Sequence, residues 1–147
     1  MFSAHGLEDY VTFTGFLSGK PLLKAFSTFD IGVIPDPKNG YNDKISMNKV
    51  FEYMSLGIPF VQFDLDEGMM VAGEAALVAR NNSPIELAER MARLLDDNAL
   101  RSQLAETGMA RAKALLRWET ERAQLLAAYE LLLKDHSAAA GAALPTG

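Results

Sequence analysis

Between residues 11 and 79, short runs of β-branched and aromatic residues alternate with stretches of helical spacing, and this alternation limits the fold more than any other feature. Val11-Thr12-Phe13-Thr14, ending at Gly15, reads as a short buried strand. Residues 20–29 place Leu22, Leu23, Phe26 and Phe29 at helical intervals, with Pro21 tolerated in a first turn. Asp30-Ile31-Gly32-Val33-Ile34-Pro35 reads as a second strand, stopped by Pro35 and Pro37. A polar loop over residues 36–44 precedes a helix over residues 47–56, which Ser46 is placed to cap and Gly57 to end. Residues 59–63 and 75–79 read as a third and a fourth strand. Strands separated by helices imply parallel pairing, because parallel neighbours need a crossover. The expected fold is therefore α/β and Rossmann-like, in three layers, with a short, mainly parallel sheet of about four strands.

From Ser83 onward the pattern is helical only. Ser83-Pro84-Ile85-Glu86 combines a capping serine, a proline at the first helical position and a glutamate three residues after the serine. Ile85, Leu87, Met91, Leu94 and Leu95 then form one apolar face. Asp96-Asp97-Asn98 interrupts it, and helices follow over residues 99–116 and 118–134. The last stretch, S-A-A-A-G-A-A-L-P-T-G, buries too little surface to fold, so residues 1–135 are expected to form the domain and 136–147 a disordered tail.

The net charge of -5 offers no basic stripe for nucleic acid or an anionic membrane surface, so no nucleic-acid partner is expected. Without a cysteine there is no disulfide, zinc-thiolate site or cysteine nucleophile. No apolar run is long enough to span a bilayer, and no signal peptide opens the chain, so the expected location is cytoplasmic.

Ligands of such sheets bind beyond the carboxyl ends of the strands, which draws attention to residues 36–46. The free backbone N–H groups of residues 45–48, at the start of the following helix, suit a phosphate. Lys49 stands one turn in, where a cation is unfavourable beside the positive helix end unless an anion is bound. Glu52 lies a further turn along the same side, within reach of hydroxyls on a group attached to that phosphate. The plainer alternative is an i, i+3 ion pair between Lys49 and Glu52.

N-K-V-F-E-Y-M-S-L-G-I-P-F-V, residues 48–61, resembles the donor-site helix of the group 1, retaining, GT-B glycosyltransferases, whose signature reads N-K-x-x-E-Y-M-x-x-G-x-P-V-V. The resemblance extends over residues 6–130. It takes in L-E-D-Y-V-T-F-T-G, F-D-I-G-V-I-P, G-E-A-A-L-V, the Ser83-Pro84 start, L-L-D-D and the late Trp118-Glu119, all in the family's order.

The resemblance implies the donor-binding half of an enzyme that moves a hexose-type sugar from a nucleoside-diphosphate sugar with retained configuration, in surface-polysaccharide assembly. Glu52 would hold the donor ribose hydroxyls through charge-assisted hydrogen bonds. Lys44, Ser46, Met47, Asn48 and Lys49 would meet the donor diphosphate and sugar. Many members carry a glutamate at the position of Lys44; Asp43 beside it is a possible sugar contact. No cofactor and no metal are expected, the nucleotide sugar being the substrate. A membrane-associated acceptor is among those the resemblance allows, met by a domain outside this sequence.

The resemblance also implies two missing β-α units and a missing acceptor domain, so that the isolated chain would have little or no activity. Strands on either side of that gap would expose edges, with Ile31 and Val33 uncovered. The last helix would present Leu125, Leu126, Tyr129, Leu132 and Leu133 to solvent. A homodimer is the expected relief. The alternative function is a non-catalytic nucleotide- or protein-binding remnant that serves oligomerisation. Three weaker signals are set aside: the phosphate-loop imitation G-F-L-S-G-K, the glycosylation triplet Asn81-Asn82-Ser83, and Asp64-Leu65-Asp66, read as solvated acids at a strand end and not as a metal site.

Overall fold

The computed structural model describes residues 5–115 and 117–141. The chain divides into two compact units, Met1–Asp30 and Ile31–Gly147.

In the first unit a 3-10 turn, Glu8–Tyr10, leads into extended chain and then helix α1 (Gly19–Phe26). The end of α1 is closed locally, with Ser27 N–H bonding Leu23 C=O at 3.0 Å and the Thr28 hydroxyl bonding Ala25 C=O at 2.7 Å. Phe26 and Phe29 meet edge to face, 5.5 Å between ring centres. Residues 11–14 are not the buried strand that their composition predicts. They join no ladder, and Phe13 is 77% exposed. A strand is stabilised by its cross-strand neighbours more than by intrinsic preference, so composition alone does not make one.

The second unit holds β1 (Gly32–Ile34), α2 (Asn48–Leu56), β2 (Phe60–Phe63), α3 (Asp66–Ala72), β3 (Ala76–Ala79), α4 (Pro84–Asp96), α5 (Asn98–Leu115) and α6 (Trp118–Gly141). Among the described residues the sheet has three strands, one fewer than expected, in the order β1-β2-β3. Both ladders are parallel, with Val33 opposite Val61 and Val61 opposite Leu77. The short crossovers through α2 and α3 make each strand the neighbour of the previous one.

Successive residues of β2 serve opposite layers. Val61 and Phe63 join Ala79, Leu87, Leu94 and Leu104 in a core beneath α4 and α5. Ile31 and Val33, expected to lie uncovered, pack against this core. Burial of each such large side chain is worth about 1.5–3 kcal/mol. Phe60 and Ile34 are buried with Val50, Tyr53 and Met54 of α2, and the Tyr53 and Phe60 ring centres are 5.7 Å apart. Tyr53 lies so close to β1 that a Cβ on Gly32 would stand 2.6 Å from its ring. Gly108 of α5 lies against α2 less tightly, since a Cβ there would stand 3.4 Å from Met54 Cα. Gln62 is fully buried, and neither of its amide atoms has a hydrogen-bond partner among the described residues.

Helix α3 was not legible in the sequence; it follows β2 directly. Helix α4 starts as read: the Ser83 hydroxyl accepts from Glu86 N–H at 3.2 Å, and Pro84 is the first helical residue. Of its expected apolar face, Leu87 and Leu94 are buried and Met91 packs on the core, but Ile85 and Leu95 are exposed. The backbone of α6 continues to Gly141, so the expected tail is helical as far as that residue. Residues 142–147 lie outside the described residues. On α6, Leu125, Leu126, Tyr129, Leu132 and Leu133 are exposed. Among the described residues no helix is long and apolar enough to cross a membrane.

Candidate functional site

The carboxyl end of β1 opens into residues 35–47, which return to the start of α2. The loop is built largely by its own asparagines. Asn39 Oδ1 accepts from the N–H groups of Tyr41, at 3.0 Å, and Asn42, at 2.9 Å. The Asn42 amide in turn donates to Pro37 C=O at 2.8 Å. These side chains satisfy backbone groups that a tight loop would otherwise leave unpaired. A 3-10 turn, Asn42–Lys44, follows, and extended chain then delivers Met47 as the N-cap of α2.

No side chain caps α2. Ser46, expected in that role, stands one residue too early, and its hydroxyl donates instead to Glu67 at the start of α3. Ile45 N–H, expected to be free, bonds Asn42 C=O at 3.4 Å. The helix therefore presents a positive end whose first-turn donors no side-chain acceptor satisfies. At the far end Gly57 takes the left-handed conformation (φ 67°), and its N–H bonds Met54 C=O at 3.3 Å.

In front of that positive end lies a cavity of about 480 Å³. Its wall is made by Asp36, Tyr41 and Asn42 from the loop, Ile45 and Ser46 from the extended chain, and Met47, Asn48 and Lys49 from the helix start. Of the residues singled out in the sequence, the cavity brings together Ser46, Met47, Asn48 and Lys49. Lys44 is exposed and lies outside its lining. Asp43 is engaged elsewhere: its Oδ1 accepts from Asp66 N–H at 2.8 Å and faces Lys38 Nζ at 3.4 Å. The Asp66 N–H, helped by Lys38, holds the Asp43 carboxyl below its ordinary value. Of Asp64 and Asp66, expected as solvated acids, Asp66 is exposed and Asp64 is partly buried. One Asp64 carboxylate oxygen is buried, and Asp66 opens α3 while bonding Lys38 at 2.7 Å. Those contacts, the one with Asp66 first, raise the Lys38 ammonium above its ordinary value.

Lys49 bonds Asp36 at 2.5 Å. The ion pair between Lys49 and Glu52 does not form, because Asp36 takes the ammonium. Glu52 is half-buried, outside the cavity lining, with no ion pair or hydrogen bond among the described residues. Sequence reasoning pointed to residues 36–46 as a loop and to Ile45 only for its backbone N–H, and it singled out none of Asp36, Tyr41 and Asn42. The available signal was their place just beyond the carboxyl end of a strand. Chemically, the arrangement offers an uncapped helix end and a cation for an anion, with a free carboxylate one turn beyond.

Residues 2–97 match the family described as glycosyl transferases group 1. Among solved structures, the chain is similar to sucrose-phosphate synthase (tll1590) from Thermosynechococcus elongatus, with a TM-score of 0.79 and 24% sequence identity. The match covers 91% of this chain and 33% of that one, so this chain spans about a third of that protein's length. A search of curated proteins found no match. At this identity the likeness is one of fold, a Rossmann-like GT-B domain. With well over half of its residues inside the family match, the chain belongs to the group 1 glycosyl transferases.

Proposed function

We propose that this chain is the donor-binding part of a glycosyltransferase that moves a hexose-type sugar from a nucleoside-diphosphate sugar, with retained anomeric configuration, in surface-polysaccharide assembly. The observation that supports it is the cavity at the uncapped start of α2. A diphosphate seated there would receive the first-turn N–H groups and draw Lys49 from Asp36, and both would stabilise the charge that builds on the leaving diphosphate. Glu52, one turn further along, would accept hydrogen bonds from the ribose hydroxyls. Among the described residues it has no hydrogen bond or ion pair, which leaves its acceptor capacity for that task. Asp43 is occupied by Asp66 and Lys38, so Lys44 is the freer of the two for a sugar contact.

Calorimetric titration with UDP, GDP and ADP, free and sugar-linked, tests the reading. At least one should bind saturably, and Glu52→Gln should weaken that binding by about 1.5–3 kcal/mol, the range for a hydrogen bond to a charged group. The melting temperature should barely move. Folded protein that binds none of them would sink the donor-site assignment. A loss of stability with unchanged affinity would make Glu52 a structural residue.

A further inference from the structure

The turn between β3 and α4 contains two consecutive non-glycine residues in the left-handed region, Asn81 (φ 57°) and Asn82 (φ 52°). Asparagine tolerates this conformation better than most residues, but two in a row are unusual. The second of them makes a long-range contact. Asn82 Oδ1 accepts from Lys38 N–H at 2.5 Å, and Asn82 Nδ2 donates to Lys38 C=O at 3.0 Å. A single side-chain amide thus pairs both backbone groups of one residue, as a neighbouring strand would. The other end of Lys38 is also held, its ammonium bonding Asp64 C=O at 2.9 Å and Asp66 at 2.7 Å.

Neither Asn82 nor Lys38 lines the cavity, yet Asp36 on one side of Lys38 and Tyr41 and Asn42 on the other form its wall. The bonds through Asn39 and Asn42 are internal and fix the shape of that loop. Its later part is anchored by Asp43 on Asp66 N–H and Ser46 on Glu67, and its start by the ion pair of Asp36 with Lys49, while Lys38 between them is where the β3–α4 turn takes hold. We infer that Asn82 is a positioning residue for the donor cavity, a role that rests on the donor-site reading above: its amide pins the backbone of Lys38, and with the anchors at Asp43 and Ser46 it sets where Asp36, Tyr41 and Asn42 stand. Through Asp36 it also sets the partner from which Lys49 must be drawn. Both bonds are exposed, so their weight falls on the position of the loop and little on global stability.

Asn82→Gly isolates the amide, because glycine keeps the left-handed backbone without steric cost. It should weaken whichever nucleotide the parent binds by about tenfold. In the ligand-free chain, exchange of the Tyr41 and Asn42 amide hydrogens should speed up by about tenfold, with the melting temperature within about 2 °C of the parent. Asn82→Asp supplies the readout that a merely structural turn would not move. Its carboxylate opposes Lys38 C=O, whereas its protonated form regains an O–H donor. Its affinity relative to the parent should therefore be low near neutral pH and recover as the pH falls toward about 4. Unchanged affinity in folded Asn82→Gly overturns the inference, as does faster loop exchange without any loss of affinity. So does an Asn82→Asp deficit that ignores pH. Failure of the donor-site reading would appear earlier and separately, as a parent chain that binds no nucleotide. The inference about binding would fall with it, while exchange at Tyr41 and Asn42 would still decide whether the clamp holds the loop.

Discussion

Gly32→Ala puts the packing of β1 against α2 to a direct test. A Cβ at that position would lie 2.6 Å from Tyr53 Cε2 and 2.8 Å from both Cδ2 and Cζ. Ordinary contacts between such atoms begin near 3.5 Å, so the ring or the strand must give by almost 1 Å. Neither has room. Tyr53 is 7% exposed and packs on Phe60, while β1 is held by its ladder to β2. Overpacking of a close-packed core costs about 1–3 kcal/mol, and a three-atom clash against a fixed ring belongs in the upper half of that range. We therefore expect a loss of about 2–3 kcal/mol by urea denaturation. At about 4 °C per kcal/mol for a chain of this size, that corresponds to a fall in melting temperature of about 8–12 °C. A double-mutant cycle identifies the cause: with Tyr53→Leu the ring is gone, and adding Gly32→Ala should then cost less than about 1 kcal/mol. A loss below about 0.5 kcal/mol in the single variant would refute the argument from geometry. So would a loss of the same size with and without the Tyr53 ring.

Glu86 is held below its ordinary value first by Arg80 N–H and then by the Arg90 guanidinium. Its folded pKa is depressed, so its stabilising effect is present above the ordinary carboxylate range and is lost as the pH falls through the lowered value. Thermal melts should show Glu86→Gln less stable than the parent at pH 7, with the gap closing below about pH 4; a gap that persists at low pH would contradict this. Gln62→Met removes two buried, unpartnered amide atoms at nearly constant volume and should be neutral or stabilising by up to about 3 kcal/mol. Destabilisation by more than about 1 kcal/mol would mean that the amide has a partner, such as a buried water.

What the sequence made legible follows from the range of the forces involved. The three strands, the Ser83-Pro84 helix start and the Gly57 stop are set by residues next to one another in the chain, and their composition announces them. Residues 11–14 have the same composition as a strand and are not one, because pairing is a property of neighbours. Helix α3 was hidden by Gly68 in its middle, a residue that weakens any helical reading. The structure explains that glycine: a Cβ there would meet Gln62 Oε1 at 2.9 Å. Within the site, Ser46 to Lys49 were legible from the start of α2. The wall they face was not, because it depends on Lys38 meeting Asp64, Asp66 and Asn82, which are distant in sequence.

The order β1-β2-β3 has a consequence for synthesis on the ribosome. Each strand pairs with the one made just before it, so the sheet can grow as the chain emerges and no strand has to wait for a later partner. The helical layers do have to wait, and α2 shows it. Its Met54 backbone is met by Gly108, and α2 packs along α5, which emerges some forty residues after α2 ends. A nascent chain that stops before Asn98 would hold all three strands while Met54 still lacked the helix that covers it. Helix α2, whose start lines the cavity, is therefore fixed only once α5 has been made.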